Sequence, residues 1–344
     1  IFFINLQTIV DVLRQAAKTC VVKREFRKAE FLIKQALHTA RINFDPKHPK
    51  FGDTLLDYGF YLLNVDSINK SVIVYQKALD VWQTAFGGYN LHVAIVHEDL
   101  AYASYVHEYS SGNFKVARDH AEKAMDIMHH LLPQDHLLLA SSKRVKALIL
   151  EEIAIDNQDK AIEHKLLLEA QELHLSALRL AQQAFGEMNV QTAKHYGNLG
   201  RLYQSMKKFN DAEEMHLKAI HIKKELLGPD DYEVALSVGH LASLYNYDME
   251  LFERAEELYL RSIEIGVKLF GEGYSGLEYD YRGLLRVYTF LGEPQKYMNY
   301  QQILQRWNEI RNRSTEREKH QCPLSLQMEL VPPENLFPML HSLE

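Results

Sequence analysis

Residues 196–220 read YGNLGRLYQSMKKFNDAEEMHLKAI, and this stretch decides the fold. Its apolar residues are spaced for two helices, and a short polar turn separates them. Gly200 in the first helix is small, as are Ala212 and Ala219 in the second. Because two antiparallel helices approach closely only where small side chains lie at the crossing, the stretch predicts a tightly packed helix pair.

The two small residues of the second helix recur along the chain at a nearly constant interval. From the first marker to the last, the five intervals are 42, 46, 53, 42 and 43 residues. The longest interval contains IAIDNQDKAIEH (153–164), which we interpret as a polar insertion between two helices. The other recurring pairs are Ala29 and Ala36, Ser71 and Ala78, Ala117 and Ala124, Ala170 and Ala177, and Ala255 and Ser262.

A second series marks the end of each unit, where an apolar residue is followed by Gly or Pro. These residues stop a helix and turn the chain into the next unit. One helix pair cannot bury its own apolar face, so neighbouring pairs must stack. A generic helix bundle would contain small residues without this period. The five unit ends are Phe86-Gly87, Leu132-Pro133, Phe185-Gly186, Leu227-Gly228 and Phe270-Gly271.

The expected fold is therefore all-α, a right-handed superhelical solenoid of about seven antiparallel helix pairs. We predict that it covers residues 1–312, and that residues 313–344 form a disordered or atypical tail, because proline excludes a long helix there. The chain begins with Ile1 instead of Met, so we expect either a fragment of a longer protein or an incorrectly assigned start. The prolines of the tail are Pro323, Pro332, Pro333 and Pro338.

Composition disfavours several classes of function. The formal net charge is −7, which argues against electrostatic binding of nucleic acid. The two cysteines, Cys20 and Cys322, are too few for a disulfide framework and are typical of a reducing compartment. No apolar run approaches the roughly 20 residues that span a bilayer. We expect a cytoplasmic protein without membrane insertion, with nuclear, cytoskeletal or peripheral membrane association as further locations.

The markers Leu199, Gly200, Tyr203 and Ala212 resemble those of the tetratricopeptide repeat, whose usual period is about 34 residues. The surplus of about eight residues here lengthens each helix by roughly one turn. Such longer units, with the ending LLGPDDYEVA (226–235), are similar to those of kinesin light chains. This resemblance implies a groove that is lined by the first helix of each pair and holds extended peptides.

Longer stretches carry a more specific resemblance. Segments such as VVKREFRKAEFLIKQAL (21–37) and NVQTAKHYGNLGRLYQSM (189–206) resemble a family of repeat-containing adaptor proteins, over roughly residues 8–312. The resemblance implies a substrate receptor of a cullin-2 RING ubiquitin ligase, which captures C-terminal degrons of the Arg-x-x-Gly type. It also implies an alternative, a transport adaptor that binds the sorting signal of the amyloid precursor protein tail and associates with microtubules. The segment that would join cullin-2 and elongin is expected outside this chain.

The repeat register gives the positions that would face a ligand in this groove. The residue before each Leu-Gly marker forms the series Asp57, Asp99, Val145, Asn198 and His240. In kinesin light chains an asparagine at this place commonly binds peptide backbone, and Asn198 matches it. The resemblance therefore implies that these first-helix residues contact the ligand.

Carboxylates concentrate near these positions. Asp53 lies one turn before Asp57, Glu98 adjoins Asp99, and Glu151 occupies a later groove position. Because arginine forms bidentate hydrogen bonds with carboxylates, we predict an acidic pocket for the degron arginine. Alternatively, these charges are solvated or paired across adjacent helices. The candidate cations for the ligand's C-terminal carboxylate are Lys143, Arg144, Lys146, Lys194 and Arg201.

Other chemical motifs are weak. GEGYSG (271–276) matches the dinucleotide-binding pattern G-x-G-x-x-G, but a helical segment precedes it where a strand is required. His129, His130 and His136 cluster without a cysteine, so we interpret them as capping or solvated residues. No nucleophile and base of a catalytic set is recognisable. We therefore predict a non-catalytic binding protein with no cofactor and no metal.

Overall fold

The computed structural model describes residues 6–109, 111–319 and 323–324. These residues form fourteen α-helices and no strand, which confirms the all-α prediction and supplies seven helix pairs, α1–α2 to α13–α14. The helices are α1 (Leu6–Val22), α2 (Phe26–Asn43), α3 (Pro49–Asn64), α4 (Ile68–Phe86), α5 (Leu91–Glu108), α6 (Lys115–Leu131), α7 (Leu138–Ile155), α8 (Lys160–Phe185), α9 (Val190–Ser205), α10 (Phe209–Leu227), α11 (Tyr232–Tyr247), α12 (Phe252–Phe270), α13 (Leu277–Leu291) and α14 (Pro294–Lys319).

The helix pairs belong to two compact units. Unit 1 contains α1–α6 and residues 323–324, and unit 2 contains α7–α13 and α14 as far as Arg317. Within unit 1, α2 packs on α3 and α4 packs on α5. Within unit 2, α8 packs on α9, α10 on α11 and α12 on α13. Each unit is therefore a stack of helix pairs, as a repeat protein requires. Among the described residues, no helix is both long and apolar enough to cross a membrane.

The predicted small residues lie at the helix crossings. A large side chain from the second helix fills the space left by glycine in the first. A Cβ at Gly59 would lie 2.6 Å from the ring of Tyr75, and one at Gly200 would lie 2.8 Å from the ring of His216. The following alanines are 0% exposed: Ala29, Ala36, Ala78, Ala117, Ala124, Ala170, Ala177, Ala212, Ala219 and Ala255.

The second helices end where the sequence predicts. In four of these pairs the last helical residue is followed by a glycine with φ between 79° and 85°, a conformation that side chains disfavour. Each of these glycines thus ends its helix with nearly the same φ. The four glycines are Gly87, Gly186, Gly228 and Gly271.

The segment 153–164 is not an insertion of loop, and our interpretation of it was wrong. Helix α7 continues to Ile155 and α8 begins at Lys160, so only four residues connect them. The Asp159 carboxylate caps α8 by accepting a hydrogen bond of 2.8 Å from the backbone N–H of Ala161. The additional residues thus lengthen the helices, and α8 has 26 residues where α10 has 19.

The tail prediction can be examined only in part. Helix α14 continues to Lys319, past the predicted boundary at residue 312. In unit 1 the Tyr58 hydroxyl donates a hydrogen bond of 2.9 Å to the backbone carbonyl of Pro323. Residues 320–322 and 325–344, with Cys322 and the remaining tail prolines, lie outside the described residues.

Candidate functional site

All predicted groove residues lie on the first helices of their pairs, but they divide between the two units. Helices α3 and α5 of unit 1 carry Asp53, Asp57, Glu98 and Asp99. Helices α7, α9 and α11 of unit 2 carry the second set, which is Arg144, Glu151, Lys194, Asn198, Arg201 and His240. We therefore describe one candidate surface in each unit.

In unit 1, two of the predicted carboxylates already have cationic partners. Asp57 accepts a hydrogen bond of 2.6 Å from Arg14 Nε, and Lys18 Nζ lies 3.3 Å from it. Arg14 Nη1 is also 3.2 Å from Asp53. The sequence analysis missed Arg14, which lies on α1, the first helix of the preceding pair, 43 residues before Asp57. A ligand cation can bind Asp57 strongly only by displacing Arg14 or Lys18.

Asp99 is different, because it is half-buried without a counter-charge. Within the described chain it makes no ion pair and accepts no hydrogen bond. Burial raises its pKa well above the usual range, and the nearby carboxylates of Glu98 and Asp57 add to that effect. A cation placed beside Asp99 would relieve this unfavourable electrostatic environment.

In unit 2, two of the predicted cations are neutralised by glutamates on neighbouring first helices. Arg201 Nη2 is 2.7 Å from Glu152 Oε1, and Lys194 Nζ is 2.9 Å from Glu233 Oε1. Glu151 is only 1% exposed, and burial raises its pKa. These pairs match the alternative left open by the sequence, in which charges pair across adjacent helices.

The remaining predicted cations also have partners. Lys143 Nζ donates a hydrogen bond of 2.7 Å to Ser176 Oγ, and Lys146 Nζ lies 2.9 Å from Glu169 Oε1. Arg144 is half-buried, and its charge lowers the pKa of His174 and His195. The cations of this surface are thus held in place by the fold and are not free side chains.

Asn198 and His240 present neutral polar groups. Asn198 is half-buried, and its side-chain amide makes no hydrogen bond within the described part of the chain. Burial lowers the pKa of His240 well below its usual value, and Arg201 and His216 lower it further. An amide without an internal partner is suited to pair with the N–H and C=O groups of an extended peptide.

Unit 2 also contains buried histidines that the sequence analysis did not single out. Burial lowers the pKa of His216 to about 3 and that of His195 to about 4, with Arg201 and Arg144 respectively as the next cause. His174 is fully buried as well, and its pKa is lowered well below the usual range. These imidazoles are neutral and fill the core. His174 and His216 stand 42 residues apart on successive second helices, and this period was the available signal.

The discounted motifs also have clear positions. Gly271 and Gly273 lie in the turn between α12 and α13, so GEGYSG follows a helix as expected. His130 Nδ1 lies 2.7 Å from the backbone carbonyl of Asp126 within α6. Within the residues that the structure describes, no group of three or more His, Cys, Asp or Glu side chains is arranged to hold a metal ion.

Comparison with known proteins shows the class of protein to which this fold belongs. The family model for the tetratricopeptide repeat matches residues 192–233 and 234–273. The structure of NprR in complex with its cognate peptide NprX has the same kind of fold, with a TM-score of 0.57, 16% identity and coverage of 99% of this chain and 88% of that one. The chain is therefore an all-α tetratricopeptide-like repeat protein, a fold typical of non-catalytic binding scaffolds.

Its similarity to one particular protein is much higher. Amyloid protein-binding protein 2 from Mus musculus and its counterpart from Rattus norvegicus are each 68% identical to this chain over 308 residues. The match covers 90% of this chain and 53% of each relative. The chain thus spans about half the length of these relatives, and they indicate a repeat-based binding protein.

Proposed function

We propose that this chain is the ligand-binding part of a substrate receptor in a cullin-2 RING ubiquitin ligase, and that it binds C-terminal degrons of the Arg-x-x-Gly type. Support comes from the 68% identity to amyloid protein-binding protein 2 and from the resemblance carried by the repeat segments. The proposal assigns the contacts with cullin-2 and elongin to the part of those relatives that this chain does not span.

The observation that carries the proposal is the electrostatic state of Asp99 in unit 1. A half-buried carboxylate beside Glu98, with no cation partner among the described residues, is stabilised by an incoming guanidinium. Arginine is better suited than lysine, because its planar fork donates two parallel hydrogen bonds to one carboxylate. The degron arginine is therefore assigned to Asp99, and Asp57 with its own cations lies nearby.

Asn198 in unit 2 supports peptide binding through a different interaction, hydrogen bonding to the peptide backbone. Its free amide can pair with the backbone of an extended peptide, which requires no particular ligand sequence. Arg201 could receive a carboxylate only in competition with Glu152, at 2.7 Å. Unit 2 therefore offers backbone recognition, whereas Asp99 of unit 1 offers selection for arginine.

The name of the relatives favours a second candidate function. A cargo adaptor would use the same first-helix surfaces to bind the sorting signal in the cytoplasmic tail of the amyloid precursor protein and couple it to microtubule-based transport. A sorting signal is an internal peptide segment, whereas a C-terminal degron requires a free carboxylate. The two functions therefore differ in the ligand terminus that they need.

Amidation of the ligand separates the two functions. A fluorescent peptide that ends in Arg-x-x-Gly is titrated with the protein, in parallel with the same peptide carrying a C-terminal amide. We expect amidation to weaken binding at least about tenfold, since it removes a charge-assisted hydrogen bond acceptor. Equal affinity for both peptides would contradict the degron proposal, and tight binding of an internal sorting-signal peptide would then favour the transport adaptor.

The variant Asp99→Asn tests the assigned arginine contact. We expect about 10- to 100-fold weaker binding of the Arg-x-x-Gly peptide, because the variant keeps the shape but cannot supply the carboxylate that pairs with the guanidinium. Asp119→Asn on α6 is the matched control, since this exposed residue lies on a second helix and should leave the affinity unchanged. Normal affinity in Asp99→Asn, with an unchanged thermal melt, would refute the contact.

A further inference from the structure

Asp280 is a buried carboxyl group in the last helix pair of unit 2. It lies on α13, is only 5% exposed, and packs against α11 and α12. A Cβ at Gly239 of α11 would lie 3.2 Å from Asp280 Oδ1 and equally close to Ser262 Oγ. The Ser262 hydroxyl of α12 donates a hydrogen bond to the carboxylate. The carboxyl group thus lies at the junction of three helices.

The surroundings of Asp280 contain no compensating charge. Among the described residues no cation acts on its pKa, and the residue of α11 that approaches it at 3.2 Å is an uncharged glycine, Gly239. The titratable groups that interact with it are the phenols of Tyr259 on α12 and Tyr281 on α13. Burial raises the pKa of Tyr281 to about 12 and that of Tyr259 still further, so both stay neutral at pH 8.

The position of α13 at this junction also affects α14, because the two helices share an apolar cluster. Leu277 and Tyr281 of α13 form one apolar cluster with Leu304 and Trp307 of α14. Movement of α13 away from α11 and α12 would therefore carry α14 with it or break this cluster. In stacked repeats each pair contacts only its neighbours, so one pair can open from the stack by local unfolding.

We infer that the pair α13–α14 is a pH-responsive element, which packs firmly on α11 and α12 while Asp280 is protonated and loosens when Asp280 ionises. Burial raises the pKa of Asp280 to about 7, and the hydrogen bond from Ser262 opposes that rise. In the open pair water solvates the carboxylate, so its pKa returns to the ordinary value of 3.8. A pKa raised in the closed state means that stability is complete below the ordinary pKa and is lost as pH rises through about 7.

Amide hydrogen exchange measures this opening directly. We expect the opening constant of amides in α13 and α14 to rise about tenfold between pH 6 and pH 8, after correction for the intrinsic exchange rate. Fluorescence of Trp307, recorded in a Trp82→Phe background, should report exposure of the same pair. The protein is used as the full chain.

The variant Asp280→Asn should abolish this pH dependence. Asp280→Ser is a second variant in case the first folds poorly, because Ser237 occupies the same position one repeat earlier, 43 residues before. Glu253→Gln on α12 is the matched carboxylate control, since Glu253 is exposed and should leave the wild-type response intact. An equal pH response in wild type and Asp280→Asn would overturn the inference, as would a wild-type opening constant that is the same at both pH values.

Discussion

Glu233→Gln is expected to lower the free energy of unfolding of unit 2 by about 3 kcal/mol at neutral pH. Glu233 Oε2 lies 3.0 Å from Lys223 Nζ, and Glu233 Oε1 lies 2.9 Å from Lys194 Nζ. Lys223 is 3% exposed, so the variant leaves a buried ammonium group without its ion-pair partner. The hydrogen bond of 2.9 Å from Lys223 to Ser237 Oγ would remain but carries no neutralising charge.

The same residue predicts a difference in acid stability. Burial favours a raised pKa, but the charges of Lys223 and Lys194 outweigh it and hold the pKa of Glu233 at about 2, against an ordinary value of 4.5. A depressed pKa contributes stability that is present above 4.5 and is lost as pH falls through about 2. The wild-type advantage over Glu233→Gln should therefore shrink across that interval.

Urea unfolding at several pH values tests this prediction. Glu225→Gln on α10 is the matched control, because Glu225 is exposed and should change stability by less than about 0.5 kcal/mol. If Glu233→Gln matched this control at pH 7, the buried ion pair would not contribute as described. A wild-type advantage that stayed constant down to pH 2 would contradict the pKa of Glu233.

Gly200→Ala is expected to destabilise unit 2 by about 1–3 kcal/mol. The new Cβ would lie 2.8–2.9 Å from three atoms of the His216 ring, which is fully buried. Helix propensity alone would favour alanine by about 1 kcal/mol. The steric cost exceeds that gain because the ring already occupies the space in which the Cβ would lie.

Gly197→Ala, one turn earlier on α9, is the matched control with the opposite sign. Its Cβ would meet only the Cβ of Ala219, at an ordinary contact distance of 3.9 Å. We expect this variant to be stabilised by up to about 1 kcal/mol, because only the propensity term remains. Thermal melts of both variants test this difference in stability. Equal changes in melting temperature would show that close packing at Gly200 does not cause the destabilisation of Gly200→Ala.

Much of the architecture was predictable because it depends on short, repeated patterns. Alanine at positions such as Ala170 and Ala212 is needed wherever two helices cross, so its period revealed the pairs. Glycine at Gly186 and Gly228 stops a helix through its own backbone conformation, which requires no distant partner. The segment 153–164 misled the analysis, because polar residues on an extended helix look like a loop.

For the candidate site, the sequence predicted only which residues lie on the first helices of their pairs. The repeat register placed Asp57, Asp99 and Asn198 on first helices, and the structure agrees. It did not show that Arg14 neutralises Asp57, while Asp99 has no cation partner among the residues that the structure describes. Those outcomes depend on which side chains the stacking brings together from segments more than 40 residues apart.

The sequence by itself determined the helix pairs, their ends and the faces that they bury, because periodicity and small residues act within one or two helices. Only the tertiary structure decided the electrostatics of this protein. The pairing of Lys223 with Glu233 depends on contacts between successive repeats, as does the lack of a cation beside Asp280 within the part of the chain that the structure describes. The energy of a charge depends on its burial and on its neighbours, and the packing of the helices sets both.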